Sequence, residues 1–372
     1  MINLVHITIN TQFLQNIQEI FEKQNSFKNQ YIILEPFIFK KRILTGNLEN
    51  CKRMNFHFFN LFNKFLIRKN SIVILHGLNY WNSNFLIERK DLKIFSLLWG
   101  GELYSNPLIN SEYSSLLKKE ISFLRKVYEF LNYGIWKINS KYEIMKTALY
   151  NSEYIAMMTE EFEYFTKLGY LNKNSTFFRF NYFPIEHKLK LIEKLNKSPR
   201  TKIIIGKSAK PEENHFEIIN ILKGFNDSLG DIIIPVSYGD KEYKGKLIKY
   251  GIDSFGHNFK PIHDFLPLED YLKVLSECRI AIFGQKRQMG YGNILYLLLL
   301  GVKIFLDKNS LIYSYLKKNK VFIYSIQDDL NNNSINSNLS FNEIKHNKLI
   351  IKSLHNTSEI MTHFKKLIYE RV

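Results

Sequence analysis

Short apolar runs alternate along the chain with longer stretches whose apolar positions recur at helical spacing. In the first half, Asn3–Ile9, Tyr31–Leu34, Ile72–His76, Lys93–Trp99, Tyr154–Met158 and Thr176–Phe180 predict strands. Several are rich in Ile, Val and Phe without polar alternation, the pattern of parallel strands covered on both faces. Between them, Ser111–Tyr150 reads as helical, with Leu117, Ile121, Leu124, Tyr128 and Leu131 on one side and a polar, basic opposite side. Asn181–Pro184 interrupts the series. A charged helix carrying Lys188, Lys190, Glu193 and Lys194 follows, and Ser198-Pro199-Arg200 resets the chain. A second series then runs Lys202–Ile205, Ile232–Val236, Ile280–Phe283, Val302–Leu306 and Val321–Tyr324, each strand separated by a helix-like segment. Two α/β series in succession predict two Rossmann-like domains facing a cleft. We place the first at residues 1–185, a linker at 186–200, the second domain at 201–355 and a C-terminal helix at 356–372.

Composition narrows this picture. At 372 residues the chain is long for one ordinary domain and comfortable for two. The two cysteines, Cys51 and Cys278, make no disulfide framework and no CxxC, which fits a reducing cytoplasm. The N-terminal MINLVHITIN lacks a basic segment ahead of a long apolar run and reads as a first strand rather than a signal peptide. The most apolar stretch, Ile294–Phe305, contains Gly301 and Lys303 and is shorter than the ~20 residues a spanning helix needs. A soluble or peripheral protein is expected. The formal net charge is +17, with Lys and Arg outnumbering Asp and Glu by 28 to 17 in residues 1–200 and by 24 to 18 beyond. Such a surface attracts anionic lipid, diphosphates or nucleic acid; it also arises from solubility and lysine-rich codon usage.

Three segments carry candidate chemistry. In Arg279–Gly301 a strand ends at Phe283, and a loop with Gly284, Lys286, Arg287, Gly290 and Gly292 leads into a helix starting near Asn293 or Ile294. Glycines let the backbone approach a ligand, free amides at a helix start favour an anion, and Arg287 suits a pyrophosphate. The same pattern also occurs as an ordinary glycine-bearing turn. In Lys202–Ile219 a strand runs into Gly206, Lys207 and Ser208 at the strand's carboxyl end, where open α/β sheets bind ligands. Lys207 and Ser208 are candidates for a donor phosphate. His215 faces the cleft or packs in the first helical turn, and Ser237 and Tyr238 border the nucleotide or form a structural loop. In Phe95–Tyr104, Trp99, Gly100 and Gly101 end a buried strand and Glu102 follows at once. Its carboxylate is placed to take a proton from an acceptor hydroxyl, or to offset a helix dipole. His76, before Gly77, is a second candidate for acceptor contact or base work, or a satisfied structural histidine. No DxD pair ends a strand, so no metal is expected, and GxSxG is absent.

These residues resemble glycosyltransferase family 56, the TDP-4-acetamido-4,6-dideoxygalactose (Fuc4NAc) transferases of enterobacterial common antigen synthesis. The resemblance runs in order through His76-Gly77, WGGELY, IIIGKSAKPEENH, IPVSYG and FLPLEDYLKVLSECRIAIFGQKRQMGYGNILYLLLLGVKIFL. The last block is the most specific, with strand, Arg287-Gln288, both glycines and the following helix aligned in kind. The family pattern has Asp where Glu102 stands and Asn where Lys207 stands. The resemblance implies an α/β fold of GT-B type, a dTDP-sugar donor and an undecaprenyl-pyrophosphate-linked saccharide as acceptor. It also implies peripheral attachment to the cytoplasmic face of the inner membrane, with no cofactor. In that frame Gly206, Lys207, Ser208, Arg287, Gly290, Gly292 and Asn293 hold the diphosphate, and Glu102 or His76 serves the acceptor. Ser111–Tyr150 docks on anionic lipid, or packs its stripe on the sheet.

Rival readings are a transferase for O-antigen or capsule using another nucleotide sugar, and a non-catalytic nucleotide-sugar-binding protein. Nucleic acid is not an expected partner, because the charge comes without a basic-aromatic recognition motif. The residues do not fix inversion or retention, and under retention Glu102 would need a different role.

Overall fold

The computed structural model describes residues 2–8, 14–35, 50–100, 103, 141–182, 184–195, 199–225 and 229–371. These fall into two compact units. One holds the described residues up to Pro184 together with those from Asn356 onward; the other spans Ile185–His355.

The first unit is a seven-stranded sheet ordered β3-β2-β1-β4-β5-β6-β7, every neighbouring pair parallel. Its strands are β1 (Ile2–Thr8), β2 (Phe27–Glu35), β3 (Cys51–Asn55), β4 (Ile72–His76), β5 (Lys93–Leu97), β6 (Tyr154–Ala156) and β7 (Thr176–Phe177). Numbering only described helices, α1 (Leu14–Phe21), α2 (Phe56–Leu66), α3 (Tyr80–Glu88), α4 (Lys141–Tyr150) and α5 (Thr159–Lys167) belong to it. β4 is buried at all five positions, as a central parallel strand with both faces covered must be. β3, CKRMN, has no buried residue and lies at the sheet edge, so its polarity hides it from an apolar-run search.

The second unit begins with α6 (Ile185–Glu193), inside the segment expected to be a linker. Its sheet is ordered β10-β9-β8-β11-β12-β13, again wholly parallel. The strands are β8 (Lys202–Ile205), β9 (Ile232–Pro235), β10 (Phe259–Ile262), β11 (Cys278–Phe283), β12 (Lys303–Leu306) and β13 (Tyr324–Ser325). The helices are α7 (His215–Lys223), α8 (Lys241–Phe255), α9 (Leu268–Ser276), α10 (Tyr291–Leu300), α11 (Leu311–Lys318), α12 (Asn332–Asn336) and α13 (Phe341–Leu354). α10 is apolar almost all round and six of its ten residues are buried, as expected of a helix enclosed by its own unit. Gly301 ends it at φ +81°, and Arg200 donates to the Gly301 carbonyl at 3.0 Å, placing a cation at the negative end of the helix.

The last helix, α14 (Thr357–Arg371), returns to the first unit. Phe364 packs against Phe21, Phe95, Phe178 and Phe180, with Ile360, Met361 and Ile368 buried beside it. Among the described residues no helix is long and apolar enough to cross a membrane.

Candidate functional site

In the second unit β8 leads to β9 and β10 on one side, while β11 leads to β12 and β13 on the other. The loops leaving β8 and β11 therefore part at the carboxyl edge, the place where open α/β sheets take ligands.

The β8 loop is organised from below by one carboxylate. Glu213 is fully buried; its Oε2 accepts the Lys207 amide at 2.6 Å and its Oε1 accepts the Ser208 hydroxyl. Burial pushes its carboxyl pKa up, against the pull of Lys207 and of these hydrogen bonds. Gly206 turns the chain at φ +64°. Asn214, at φ +53°, donates from Nδ2 to the Gly284 carbonyl at 2.8 Å and so ties the β8 loop to the β11 loop. The β9 loop joins through a bridge between Ala209 and Gly239, with the Ala209 amide on the Tyr238 carbonyl at 2.8 Å.

Three cations share this edge. The Lys207 ammonium lies 3.1 Å from the Tyr238 hydroxyl and over the Tyr238 ring. Its stem passes Gly290, where an added Cβ would sit 2.5 Å from Lys207 Cδ. Arg287 reaches Glu212 at 3.5 Å. Lys210 has its pKa lowered first by burial, then by the like charges of Lys207 and Arg287. Gly290, at φ +66°, begins α10 without a side-chain cap, so the amides of the first turn, which includes Gly292 and Asn293, are directed at the same place. Positive side chains around an uncapped helix start suit a di-anion.

The first unit has its own switch point between β1 and β4. There a buried chain runs from Asn29 through His6 and His76 to Tyr182, with spacings of 3.1, 2.9 and 2.9 Å. Asn29 donates its Nδ2 to the Phe21 carbonyl at 3.3 Å, so its oxygen faces His6 Nε2. That order makes His6 donate to Asn29, His76 donate from Nε2 to His6 Nδ1, and the Tyr182 hydroxyl donate to His76 Nδ1. Trp99 stands edge-on to Tyr182, 5.6 Å between centroids, with Gly77 (φ +80°) and Gly100 (φ +85°) turning the chain at the ends of β4 and β5.

The sequence profile described as 4-alpha-L-fucosyltransferase, glycosyl transferase group 56, matches residues 135–354, more than half of the chain. The chain belongs to glycosyltransferase group 56. As a group 56 protein it is a glycosyltransferase, and solved structures show its fold to be GT-B, with two Rossmann-like domains. HepE of Anabaena, solved with UDP and glucose, is similar at TM-score 0.65 and 9% identity, with all of both chains covered. Sucrose-phosphate synthase from Thermosynechococcus elongatus is similar at TM-score 0.61 and 8% identity, covering 100% of this chain and 99% of that one. A UDP-forming trehalose-phosphate synthase from Burkholderia vietnamiensis is similar at TM-score 0.60 and 6% identity, covering 100% and 99%.

Within this group 56 enzyme the structure brings together Gly206, Lys207, Arg287, Gly290, Gly292 and Asn293, with Tyr238 against Lys207. α10 starts at Tyr291, so Gly292 and Asn293 lie in its first turn rather than before it. Ser237 is half-buried on the β9 loop next to Tyr238. Three expectations need correction. Ser208 is buried and its hydroxyl turns down to Glu213, so it shapes the loop rather than meeting a phosphate. His215 is buried beneath the loop, its Nδ1 3.0 Å from the Tyr243 hydroxyl, and does not face out. His76 is fully buried with both ring nitrogens engaged, which removes it from direct base work. Gly101, Glu102 and most of Ser111–Tyr150 lie outside the described residues. Lys210, Glu212, Glu213 and Asn214 are site residues that the sequence reading missed as ligand or loop-forming groups. A lysine before Pro211 at a strand's carboxyl end was the available signal for Lys210; nothing in the sequence marks Glu213 as buried.

Two predictions arise here. Gly206→Ala puts a Cβ inside the van der Waals radii of Glu213 Oε2 and His215 Nε2, at a φ that alone costs a β-carbon residue about 1–2 kcal/mol. Thermal melting should fall by several degrees, roughly 2–4 °C per kcal/mol for a unit of this size, and nucleotide affinity should fall with it. Wild-type melting would show that the loop yields freely.

The second concerns acid. Burial holds His6 and His215 neutral, with pKa values lowered to about 3, and holds His76 well below its ordinary value, His6 adding to the effect. The unfolded chain takes up these protons below about pH 6.5, whereas the folded chain refuses them. Stability is therefore complete above that pH and lost as pH falls, by up to about 1.4 kcal/mol per histidine per pH unit. Glu213, raised when folded, works the other way: below its raised pKa the folded form keeps a proton that the unfolded one releases, down to the ordinary carboxylate range. Melts from neutral to about pH 5 should show a steady loss; a flat profile would contradict the buried-neutral assignment.

Proposed function

We propose that this group 56 enzyme transfers a Fuc4NAc-like deoxy or acetamido sugar from a dTDP donor to an undecaprenyl-pyrophosphate-linked saccharide, working peripherally at the cytoplasmic face of the inner membrane. The observation that carries the donor side is the cluster of Lys207, Lys210 and Arg287 around the uncapped start of α10. The sugar and the lipid-linked acceptor follow from the family resemblance, and the basic chain suits both the diphosphate and an anionic surface.

As the bond from the anomeric carbon to the diphosphate breaks, negative charge builds on the departing oxygens. Lys207, Arg287 and the amides of Tyr291, Gly292 and Asn293 lower the energy of that charge without having to reorganise. The acceptor hydroxyl forms the new bond to the anomeric carbon, and its proton passes to the Glu102 carboxylate. Trp99 and Gly100, which follow β5, border the acceptor, and Tyr238 borders the nucleotide beside Lys207.

The deciding experiment offers the purified chain a panel of dTDP- and UDP-sugars with lipid-linked acceptor and measures transfer and calorimetric affinity. Transfer from dTDP-Fuc4NAc above the other donors supports the reading. Preference for another nucleotide sugar transfers the assignment to another surface glycan, and tight binding without turnover makes the chain a sensor.

A further inference from the structure

α2 has two apolar faces. Phe56 and Phe59 are buried against the unit. Phe58, Leu61, Phe62 and Phe65 are 52%, 74%, 40% and 85% exposed. Their spacing, i, i+3, i+4 and i+7, gathers them into one stripe on the outer face, roughly 100° wide at about 100° per residue. The Phe58 and Phe62 rings touch, 4.4 Å between centroids, so the patch is continuous. A monomer does not ordinarily leave four large apolar side chains together in water.

The charge around the stripe identifies what covers it. From Asn50 to Ile87 the chain has no acidic residue, while Lys52, Arg53, Lys64, Arg68 and Lys69 fall within it. Arg53 is taken by Glu35 at 2.8 Å. Lys52, Lys64 and Arg68 are exposed and have no ion-pair partner among the described residues. Lys64 stands on α2 itself, and Arg68 follows its C-terminus. An aromatic stripe flanked by unpaired cations and free of carboxylates is the make-up of a helix that lies in the plane of an anionic bilayer. Eleven residues span only about 16 Å, too short to cross one. α2 also starts at the carboxyl end of β3, so its first turn lies at the carboxyl edge of the first unit's sheet.

We infer that α2 docks the enzyme on an anionic lipid surface, Phe58, Leu61, Phe62 and Phe65 entering the headgroup boundary and Lys64 and Arg68 meeting lipid phosphates. The inference deepens the reading of a membrane-borne acceptor and is tested apart from it. The full chain is sedimented with phosphatidylcholine vesicles and with vesicles containing phosphatidylglycerol, alongside Phe62→Ser/Phe65→Ser and Lys64→Gln/Arg68→Gln variants. Melting and UDP and dTDP affinity are measured on each, and because the changed side chains are exposed these should stay at wild-type values. The wild type should bind phosphatidylglycerol vesicles in a salt-sensitive way. The serine pair should reduce partition by ~10-fold or more, and the glutamine pair should weaken binding to anionic vesicles alone. Three results would overturn the assignment: a wild type that stays in the supernatant, a serine pair that binds as well as wild type, or a stripe that proves to be a self-association surface lost in the serine pair. Vesicle binding without nucleotide affinity would leave α2 standing and remove the donor reading; the reverse would do the opposite.

Discussion

Replacing both Lys207 and Arg287 by Ala should weaken nucleoside diphosphate binding on the order of 10³-fold while leaving the stability of the unliganded protein close to that of wild type. Hydrogen bonds to charged groups contribute about 1.5–3 kcal/mol each, so either single variant should lose roughly 10- to 100-fold. The unchanged stability is the more discriminating half. Without an anion, Lys207 and Arg287 both act against Lys210, whose own pKa they lower. Their loss removes this repulsion, which offsets the lost contacts of Lys207 with Tyr238 and with the charge of Glu213 and the long 3.5 Å contact of Arg287 with Glu212. Nucleoside diphosphate should raise the melting temperature of the wild type and leave that of the double variant unchanged. Gly290→Ala probes the same site from the helix side, because its Cβ forces the flexible Lys207 stem aside. Wild-type affinity in the double variant would dismantle the anion site.

What the sequence made legible divides along a physical line. The central strands β4, β8, β9, β11 and β12 announce themselves because both faces are covered, so most positions must be apolar. β3 and β10 do not: at the sheet edges Cys51–Asn55 carries Lys and Arg, and Phe259–Ile262 carries Lys and Pro. α6 was legible as a charged helix, but its place was not: Lys188, Lys190 and Glu193 set it apart as linker, although Ile185, Leu189 and Ile192 keep the helical spacing of a helix that belongs to the second unit. α14 was legible as a helix, but its partner was not, since Phe364 finds Phe21, Phe95 and Phe178 far away in sequence.

The candidate site shows the same division. Lys207, Arg287 and the glycines stood out because their chemistry is unusual at a strand end. Glu213, Asn214 and His6 did not, because polar residues are expected outside. They are tolerated inside because each finds partners: Lys207 and Ser208 for Glu213, Gly284 for Asn214, Asn29 and His76 for His6.

The largest catalytic effect is expected of Glu102→Gln, a fall in turnover of about 10²–10⁴-fold with dTDP affinity unchanged. A general base needs a lone pair and a proton affinity suited to neutral pH. His76 has neither to offer, since Tyr182 donates to its Nδ1, its Nε2 proton goes to His6, and burial disfavours the cation. The Asn29–His6–His76–Tyr182 chain instead fixes the Tyr182 ring, against which Trp99 stands edge-on as the chain leaves β5 toward Glu102. His76→Gln should therefore lower stability and turnover together, as a positioning residue does, while Glu102→Gln should lower turnover alone. Glu102→Asp, which keeps a carboxylate on a side chain one methylene shorter, should recover part of the rate. The pH profile separates a base from a mere carboxylate: the wild type should show an acid limb in kcat/KM, and Glu102→Gln should lose it. Full turnover by Glu102→Gln would remove the carboxylate from proton transfer and point to a retaining reaction, in which the departing diphosphate itself takes the acceptor proton and the weight of catalysis moves to Lys207 and Arg287.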